Sequence, residues 1–292
     1  MIDVLASGQG VYVQDGGRVG YAALGVPRSG AFDRAAWRTA NRIVGNPPWA
    51  AALEVTLGRL SIQAEAACTV AVTGAPCPGV AWGTPISLRA GERLQLGTPT
   101  AGVRSYLAVR GGIDVPPVLG SRSTDTLGGL GPPPVRTGDR LPVGRQPANQ
   151  VAGVDAVPAD GQAPVRVLPG PRADWLEPHA MALLTTIEWR VRADSDRIGV
   201  RLDGPALRRR RHDELPSEPT LPGAIQVPAD GRPIVFGPDA PVTGGYPVVA
   251  IVADADLDAL AQVRPGDTVR FSSAPGAAPA TQARPPRRRP GS

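Results

Sequence analysis

Short runs of aliphatic and β-branched residues, each closed by Gly, Pro or Asp, recur along the chain. Segments 2–6, 51–57, 60–66, 68–73, 86–89, 93–97 and 104–110 all take this form, which is that of strands on a core. Helical spacing is rarer. Asp33 opens a stretch in which Trp37, Ala40, Ile43 and Val44 recur at helical intervals, with Asp33 placed as N-cap and Gly45 just past the end. A second helix is predicted over 172–187, where Trp175, Leu176, His179, Leu183 and Ile187 share a stripe, and a third over 254–262.

Three turns follow one pattern: AGERLQL at 90–96, TGDRLPV at 137–143 and PGDTVRF at 265–271 each set Gly and an acid just ahead of an aliphatic strand. Gly supplies the unusual backbone angles, and the carboxylate accepts neighbouring backbone N–H groups. The recurrence predicts two related β-barrel halves, 1–144 and 164–271, joined by a loose Pro/Ala/Gly/Asp-rich segment at 145–163 and followed by a disordered Pro/Ala/Arg tail at 272–292.

Composition supports a mainly β protein. The 292 residues are 42% apolar, enough for a sizeable core, and 36 Gly with 34 Pro imply many turns and few long helices. The net charge of +5 suggests nucleic acid until the charges are located. Four of the five positive charges belong to Arg284, Arg287, Arg288 and Arg289 in the tail, so residues 1–271 carry only +1. No basic footprint for nucleic acid remains.

Every one of the 31 basic residues is Arg, which excludes a Schiff-base lysine and the lysine of a phosphate-binding P-loop. The glycine pairs at 16–17, 111–112, 128–129 and 244–245 lack the strand–GxGxxG–helix setting of a dinucleotide fold. Two cysteines, Cys68 and Cys77, and two histidines, His179 and His212, furnish neither a zinc site nor a positioned catalytic histidine. Without a signal sequence or a long apolar run, the expected setting is the cytoplasm, with no membrane and no metal.

Polar residues packed among glycines remain as candidate chemistry. Gln14, Asp15 and Arg18 suit a substrate amide and carboxylate, since an Arg fork grips a carboxylate; the alternative is an Asp–Arg pair that steadies the first turn. Ser29, Asp33 and Asn46 are candidates for the same cleft, with Asp33 better suited to capping the helix than to catalysis. Arg104, Tyr106, Ser121, Arg122 and Ser123 are donors able to converge on an oxyanion. Thr243, Gly244, Gly245 and Tyr246 form either a ligand-approaching loop or a plain hairpin turn. Asp15, Arg18, Ser29 and Asp33 are the catalytic candidates, and the others are substrate-binding candidates.

The same segments carry a resemblance. VQDGGRVGYAALGVPRSGAFD (13–33), NRIVGN (41–46), ALEVTLG (52–58), VTGA (72–75), RSYLAVRGGIDVPPVLGSRST (104–124), SDRIGVRLDG (195–204), SEPTLPGAIQVPADGRPIVF (217–236) and TGGYPVVAIV (243–252) resemble, in the same order, the family once called allophanate hydrolase subunit 2. Its members include the C subunit of 5-oxoprolinase and an antagonist of a sporulation-kinase inhibitor, and it is similar to part of the carboxyltransferase region of urea amidolyase.

The resemblance implies a cyclophilin-like β-barrel fold with tandem halves and a cleft between them. It also implies a complex with a sister B subunit (allophanate hydrolase subunit 1-like) and an A subunit, which together hydrolyse 5-oxo-L-proline, a lactam, to L-glutamate with ATP. ATP is then used by the complex, because this chain has no nucleotide loop. Biotin enters only if the chain is instead a biotin-dependent carboxyltransferase; antagonism of a kinase inhibitor is a third, non-catalytic alternative. Two departures stand out: a shortened loop DTLGGLGPPPVRTGD after residue 124, and Pro241-Val242 before TGGYP.

Overall fold

The computed structural model describes residues 1–152 and 163–275. Nine strands form in the first part: β1 (Ile2–Ser7), β2 (Val11–Gln14), β3 (Ala52–Thr56), β4 (Leu60–Ala64), β5 (Cys68–Gly74), β6 (Pro85–Leu88), β7 (Arg93–Leu96), β8 (Arg104–Val109) and β9 (Arg140–Leu141). Every segment read as a strand from the sequence is among them. They make two sheets, ordered β7-β4-β1-β9 and β2-β3-β8-β5-β6. Alternation along the strands places Ile2, Val4, Leu60 and Ile62 of the first sheet and Val11, Val13, Leu53, Val55, Val72 and Leu107 of the second in one shared core.

The other face of the second sheet positions the chemistry. Small residues there, Ala52, Ala71 and Ala108, admit helix α1 (Arg34–Ile43), which packs Trp37, Ala40 and Ile43 against them and against Tyr106. Asp33 caps the helix by accepting the Ala36 N–H at 2.8 Å. Cross-strand register puts Tyr12 opposite Glu54, Glu54 opposite Tyr106, and Thr56 opposite Arg104 on this same face. A row of polar side chains is thus aligned where the second part of the chain covers the sheet.

The second part holds β10 (Val165–Pro169), β11 (Glu188–Val191), β12 (Gly199–Asp203), β13 (Glu218–Pro219), β14 (Ala224–Gln226), β15 (Ile234–Phe236), β16 (Thr243–Gly244), β17 (Val248–Val252) and β18 (Thr268–Ser273). Seven of these close a barrel in the order β10-β17-β14-β15-β12-β11-β18, with β13 and β16 paired outside it. Parallel pairing of β10 with β18, Val165 opposite Phe271, completes the closure. Trp189, Phe271, Leu202, Ile225 and Val249 fill the interior. The described chain is therefore mainly β, with few helices.

Sequence and structure differ in three places here. Over 172–187 the helix α2 (Pro178–Thr186) begins only at Pro178, which occupies its first turn; Trp175 lies in a preceding 3₁₀ turn, and Ile187 is already extended. Its buried residues are Ala180 and Leu184, while His179 faces solvent. The candidate over 254–262 is a 3₁₀ turn running into the single turn α3 (Leu257–Leu260). Strand β18 takes in Ser272 and Ser273, which pair with Arg166 and Val167, so the tail begins later than residue 272. Most of the 145–163 connection and residues 276–292 lie outside the described residues.

The three recurring turns are alike in detail. Gly91, Gly138 and Gly266 have φ of 78°, 93° and 91°. In each turn the following acid accepts the backbone N–H three residues earlier: Glu92 from Arg89, Asp139 from Arg136 and Asp267 from Arg264, at 2.8, 2.7 and 2.8 Å. Each acid's own N–H also closes onto the carbonyl of that Arg, and each turn launches a strand, β7, β9 or β18.

Candidate functional site between the two parts

A cavity of about 250 Å³ opens where the two parts meet. Its walls are Ala31, Phe32 and Trp37 on one side and Leu221, Pro222, Phe236, Pro238 and Leu257 on the other. Polar groups enter from Asp15, Ser29, Arg28, Arg34, Arg38 and Asp254. Apolar walls with a few convergent polar groups are the usual make-up of a small-molecule site. Three guanidiniums against two carboxylates leave a positive excess, suited to an anionic head group. Arg34 is partly committed, bonding Asp254 at 2.8 Å and Asp258 at 3.1 Å.

Ser29 stands out within this lining. Its backbone sits at φ 55°, and its Oγ is buried without a hydrogen-bond partner among the described residues. The Ser29 N–H is fixed to Pro238 O at 3.0 Å across the divide, so the hydroxyl is held in place by both parts. A strained, buried, unpaired hydroxyl beside a cavity makes Ser29 a candidate for contact with a ligand.

Asp15 is held from below. Its Oδ1 accepts the Ser121 and Ser123 hydroxyls at 2.6 Å each and the Gly17 N–H at 2.8 Å, and its Oδ2 accepts the Arg122 N–H at 2.6 Å. This carboxylate ties the 15–18 turn to the 121–123 loop. Arg18 makes no pair with it: the guanidinium donates to the carbonyls of Val118 and Ser123, because the turn swings it under that loop. The Asp15–Arg18 pair, the alternative reading of this turn, is therefore not formed. Gln14 bonds Thr124 O at 3.0 Å, and Arg122 turns away to Asp114 at 2.6 Å.

Behind Phe32 lies a buried ion network that sequence reading only half found. Glu54 Oε1 meets Arg197 Nη1 at 2.6 Å, and its Oε2 accepts the Tyr106 hydroxyl at 2.7 Å and the Phe32 N–H at 3.0 Å. Arg197 continues to Asp239 at 2.8 and 3.1 Å and to Gly30 O at 2.6 Å. Asp239 in turn accepts the N–H and hydroxyl of Thr126 at 3.1 and 2.7 Å. Arg104 lies over the Phe32 ring at 4.6 Å, with Nε 3.5 Å from Glu54.

Electrostatics follow from burial and pairing. Burial pushes the Glu54 carboxyl up, but Arg197 and Arg104 outweigh it and hold the group below the usual range. Asp239 is likewise held low, chiefly by Arg197 against its burial. Arg197 is raised because Asp239 and Glu54 overcome its desolvation; Arg104 is lowered because burial outweighs its longer pairing with Glu54. Asp33 is different. Burial pushes it up to about 6 against the hydrogen bonds from Gln262 and Ala36, and Gln262 reaches it at 2.7 Å.

The sequence candidates therefore separate. Asp15 and Ser29 line the cavity; Gln14, Arg18, Ser121, Arg122 and Ser123 support it. Asp33, Arg104 and Tyr106 belong to the network behind it. Asn46 does not line the cavity: it is buried against Asn41, Val109 and Gly111. Neither do Thr243, Gly244, Gly245 and Tyr246, which form a turn paired to Glu218–Pro219 and bonded through Gln226. Glu54, Arg197 and Asp239 were missed, although a charge within an otherwise apolar strand, as in ALEVT, is itself a sign of a buried partner. Arg28, Arg34, Arg38 and Phe236 carried no such sign.

Residues 24–273 match the family described as carboxyltransferase domain, subdomain A and B. The chain belongs to this carboxyltransferase family. It is 40% identical to the 5-oxoprolinase C subunit of Escherichia coli (strain K12) over 280 residues, covering 93% of this chain and 90% of that protein. The Haemophilus influenzae 5-oxoprolinase C subunit is 34% identical over 285 residues, covering 94% and 91%. Urea amidolyase of Lachancea kluyveri is 35% identical across 92% of this chain, which spans only 17% of that protein. Among solved structures, urea amidolyase of K. lactis superposes with a TM-score of 0.85 at 33% identity, matching 92% of this chain to 18% of that one. The resemblance read from the sequence to the 5-oxoprolinase C subunit, as well as to the urea amidolyase carboxyltransferase region, is thus confirmed. Among the described residues of this family member, no His/Cys/Asp/Glu group could hold a metal, and no helix is long and apolar enough to cross a membrane.

Proposed function

We propose that this chain is the C subunit of an ATP-dependent 5-oxoprolinase that hydrolyses 5-oxo-L-proline to L-glutamate beside the A and B subunits in the cytoplasm. The observation that carries the reading is the 40% identity to a 5-oxoprolinase C subunit over nine-tenths of that protein's length. The cavity between the two parts fits the chemistry. Its arginine excess suits the substrate carboxylate, its apolar walls suit a small ring, and the unpaired Ser29 hydroxyl faces a polar group of the ligand. The chain brings no phosphate-binding loop and no positioned histidine: His179 and His212 are both exposed. ATP is therefore handled by one of the other chains of the complex, and the isolated chain is inactive.

The test is coexpression with the A and B subunits, followed by assay of glutamate release from 5-oxoproline and ATP. The complex turns over and the purified chain alone does not. Ser29→Ala lowers turnover of the complex at least about tenfold with an unchanged melting temperature, as expected for a hydroxyl without structural partners. A second reading, a biotin-dependent carboxyltransferase, draws support from the likeness to urea amidolyase. It is favoured if the chain copurifies with a biotin carrier and the reconstituted complex ignores 5-oxoproline.

A further inference from the structure

The segment that carries Ser29 into the cavity, residues 28–33, belongs to no helix or strand, yet each residue from Ser29 to Asp33 is bonded through its backbone. Two of these bonds run to main-chain atoms: Ser29 N–H to Pro238 O at 3.0 Å and Ala31 N–H to Asp15 O at 2.9 Å. The other three run to side chains. The Gly30 carbonyl accepts from Arg197 Nη2 at 2.6 Å, the Phe32 N–H donates to Glu54 Oε2 at 3.0 Å, and the Asp33 N–H donates to the Tyr106 hydroxyl at 2.8 Å. Those side chains are buried and joined to one another, since Glu54 takes Arg197 Nη1 on Oε1 and the Tyr106 hydroxyl on Oε2. One connected unit therefore grips three of five consecutive residues.

Open space adjoins this unit as well as the loop. A second cavity of about 290 Å³ is also shared by the two parts, with Tyr12, Thr56 and Arg104 from the first and Arg197 and Val200 from the second in its wall. Close packing fixes a backbone where atoms surround it; between two cavities, hydrogen bonds of fixed geometry take over that task. Ser29 gives them a load to carry. Its φ of 55° is unfavourable, and such a conformation persists only where its surroundings over-determine it. A buried ion pair returns little net stability, because desolvation offsets the attraction, so the role left to this one is to impose a single arrangement. We propose that Glu54, Arg197 and Tyr106 are positioning residues: by holding Gly30, Phe32 and Asp33 they keep Ser29 in its strained conformation, with its hydroxyl in the wall of the first cavity. That this hydroxyl serves turnover of 5-oxoproline rests on the proposed function; the positioning itself does not.

Ser29→Cys in the full chain supplies a reporter thiol, with Cys68 at the start of β5 as internal reference. Its alkylation by iodoacetamide is followed by mass spectrometry of the peptide that carries position 29. Tyr106→Phe removes one hydroxyl and keeps the ring; Arg197→Lys keeps the charge and loses the fork. Each, added to Ser29→Cys, should raise the rate at position 29 at least about fivefold, the usual worth of one hydrogen bond. Leu60→Ala opens a hole in the core on the other face of the second sheet. It should lower the melting temperature at least as much as Tyr106→Phe and leave the rate within about twofold. Equal rates in all backgrounds, or rates that track the melting temperature whichever residue is changed, overturn the proposal. Should Arg197→Lys not fold, Tyr106→Phe decides alone. The rates are read on the isolated chain, so a wild-type complex that releases no glutamate overturns the proposed function and leaves them as they are.

Discussion

At the scale of single residues, the molecule is governed by how buried charges are answered. Arg197 satisfies Glu54 and Asp239 together, all three with side chains at most 4% exposed. Replacing it with Leu leaves two carboxylates in the interior without their main partner, which costs about 3–5 kcal/mol. That cost has a pH signature. Glu54 and Asp239 have folded pKa values below their ordinary ones, so their contribution is present at neutral pH and lost as pH falls. In Arg197→Leu the orphaned carboxylates take up protons instead, so the stability gap to wild type should narrow between pH 7 and pH 4. Denaturant titrations at the two pH values measure it. Asp33 runs the other way. Its pKa, raised from 3.8 to about 6, gives stability that is complete below about 3.8 and lost as pH rises through 6. Asp33→Asn keeps the oxygen that caps α1 and cannot ionise, so relative to wild type it should gain about 2–3 kcal/mol between pH 4 and pH 7. An unchanged difference across that range would show that Asp33 does not titrate as its surroundings dictate.

Among elements, what the sequence revealed and what it hid have the same cause. Strands β1 and β3 to β8 were legible because each alternates or runs apolar between turn residues, and α1 was legible because its cap, stripe and terminal Gly agree. Strand β2, VYVQ, was not read from the sequence, although β6 and β7 are equally short. The α2 stripe failed because Trp175 and Leu176 are buried by a turn that mimics helical spacing over a few positions. Site residues on the 14–18, 29–33 and 121–123 loops were legible as polar residues among glycines, while Arg197 and Asp239 were not, since their partners lie some 40 to 140 positions away. The Gly-acid turns allow space and backbone strain to be separated. A Cβ at Gly138 or Gly266 meets nothing within 4 Å, whereas one at Gly58 meets Gly97 O at 1.9 Å. Gly138→Ala and Gly266→Ala should each cost only the positive-φ penalty, about 1–2 kcal/mol. Gly58→Ala adds a backbone clash and should cost clearly more. Melting temperatures of the three variants decide it, and equal losses would mean that space does not matter at Gly58.

Considered whole, the molecule has two main apolar cores, one between the sheets of the first part and one inside the barrel. Phe32 is the residue of the first part that joins the barrel core. The rest of the junction among the described residues is largely polar: Glu54 with Arg197, Thr126 with Asp239, Arg34 with Asp258, and Arg264 with the carbonyls of Pro99 and Gly102 at 2.6 and 2.7 Å. Hydrophobic burial is non-directional and holds each part together, whereas the junction depends on hydrogen bonds with fixed geometry. The same junction forms both cavities, so the relative placement of the parts sets the shape of each. The wild-type chain should therefore melt in one cooperative transition while the network holds the parts in register. Arg197→Leu should split that transition in two by calorimetry, with Trp175 and Trp189 reporting the barrel and Trp37 and Trp82 the first part. Because the network is buried, raising salt from 0.1 to 1 M should not split the wild-type transition, exposed pairs being the ones that salt screens. A single transition in Arg197→Leu, merely shifted down, would mean that Phe32 and the remaining contacts couple the parts without the network. The two cavities would then owe their shape to packing instead of charge.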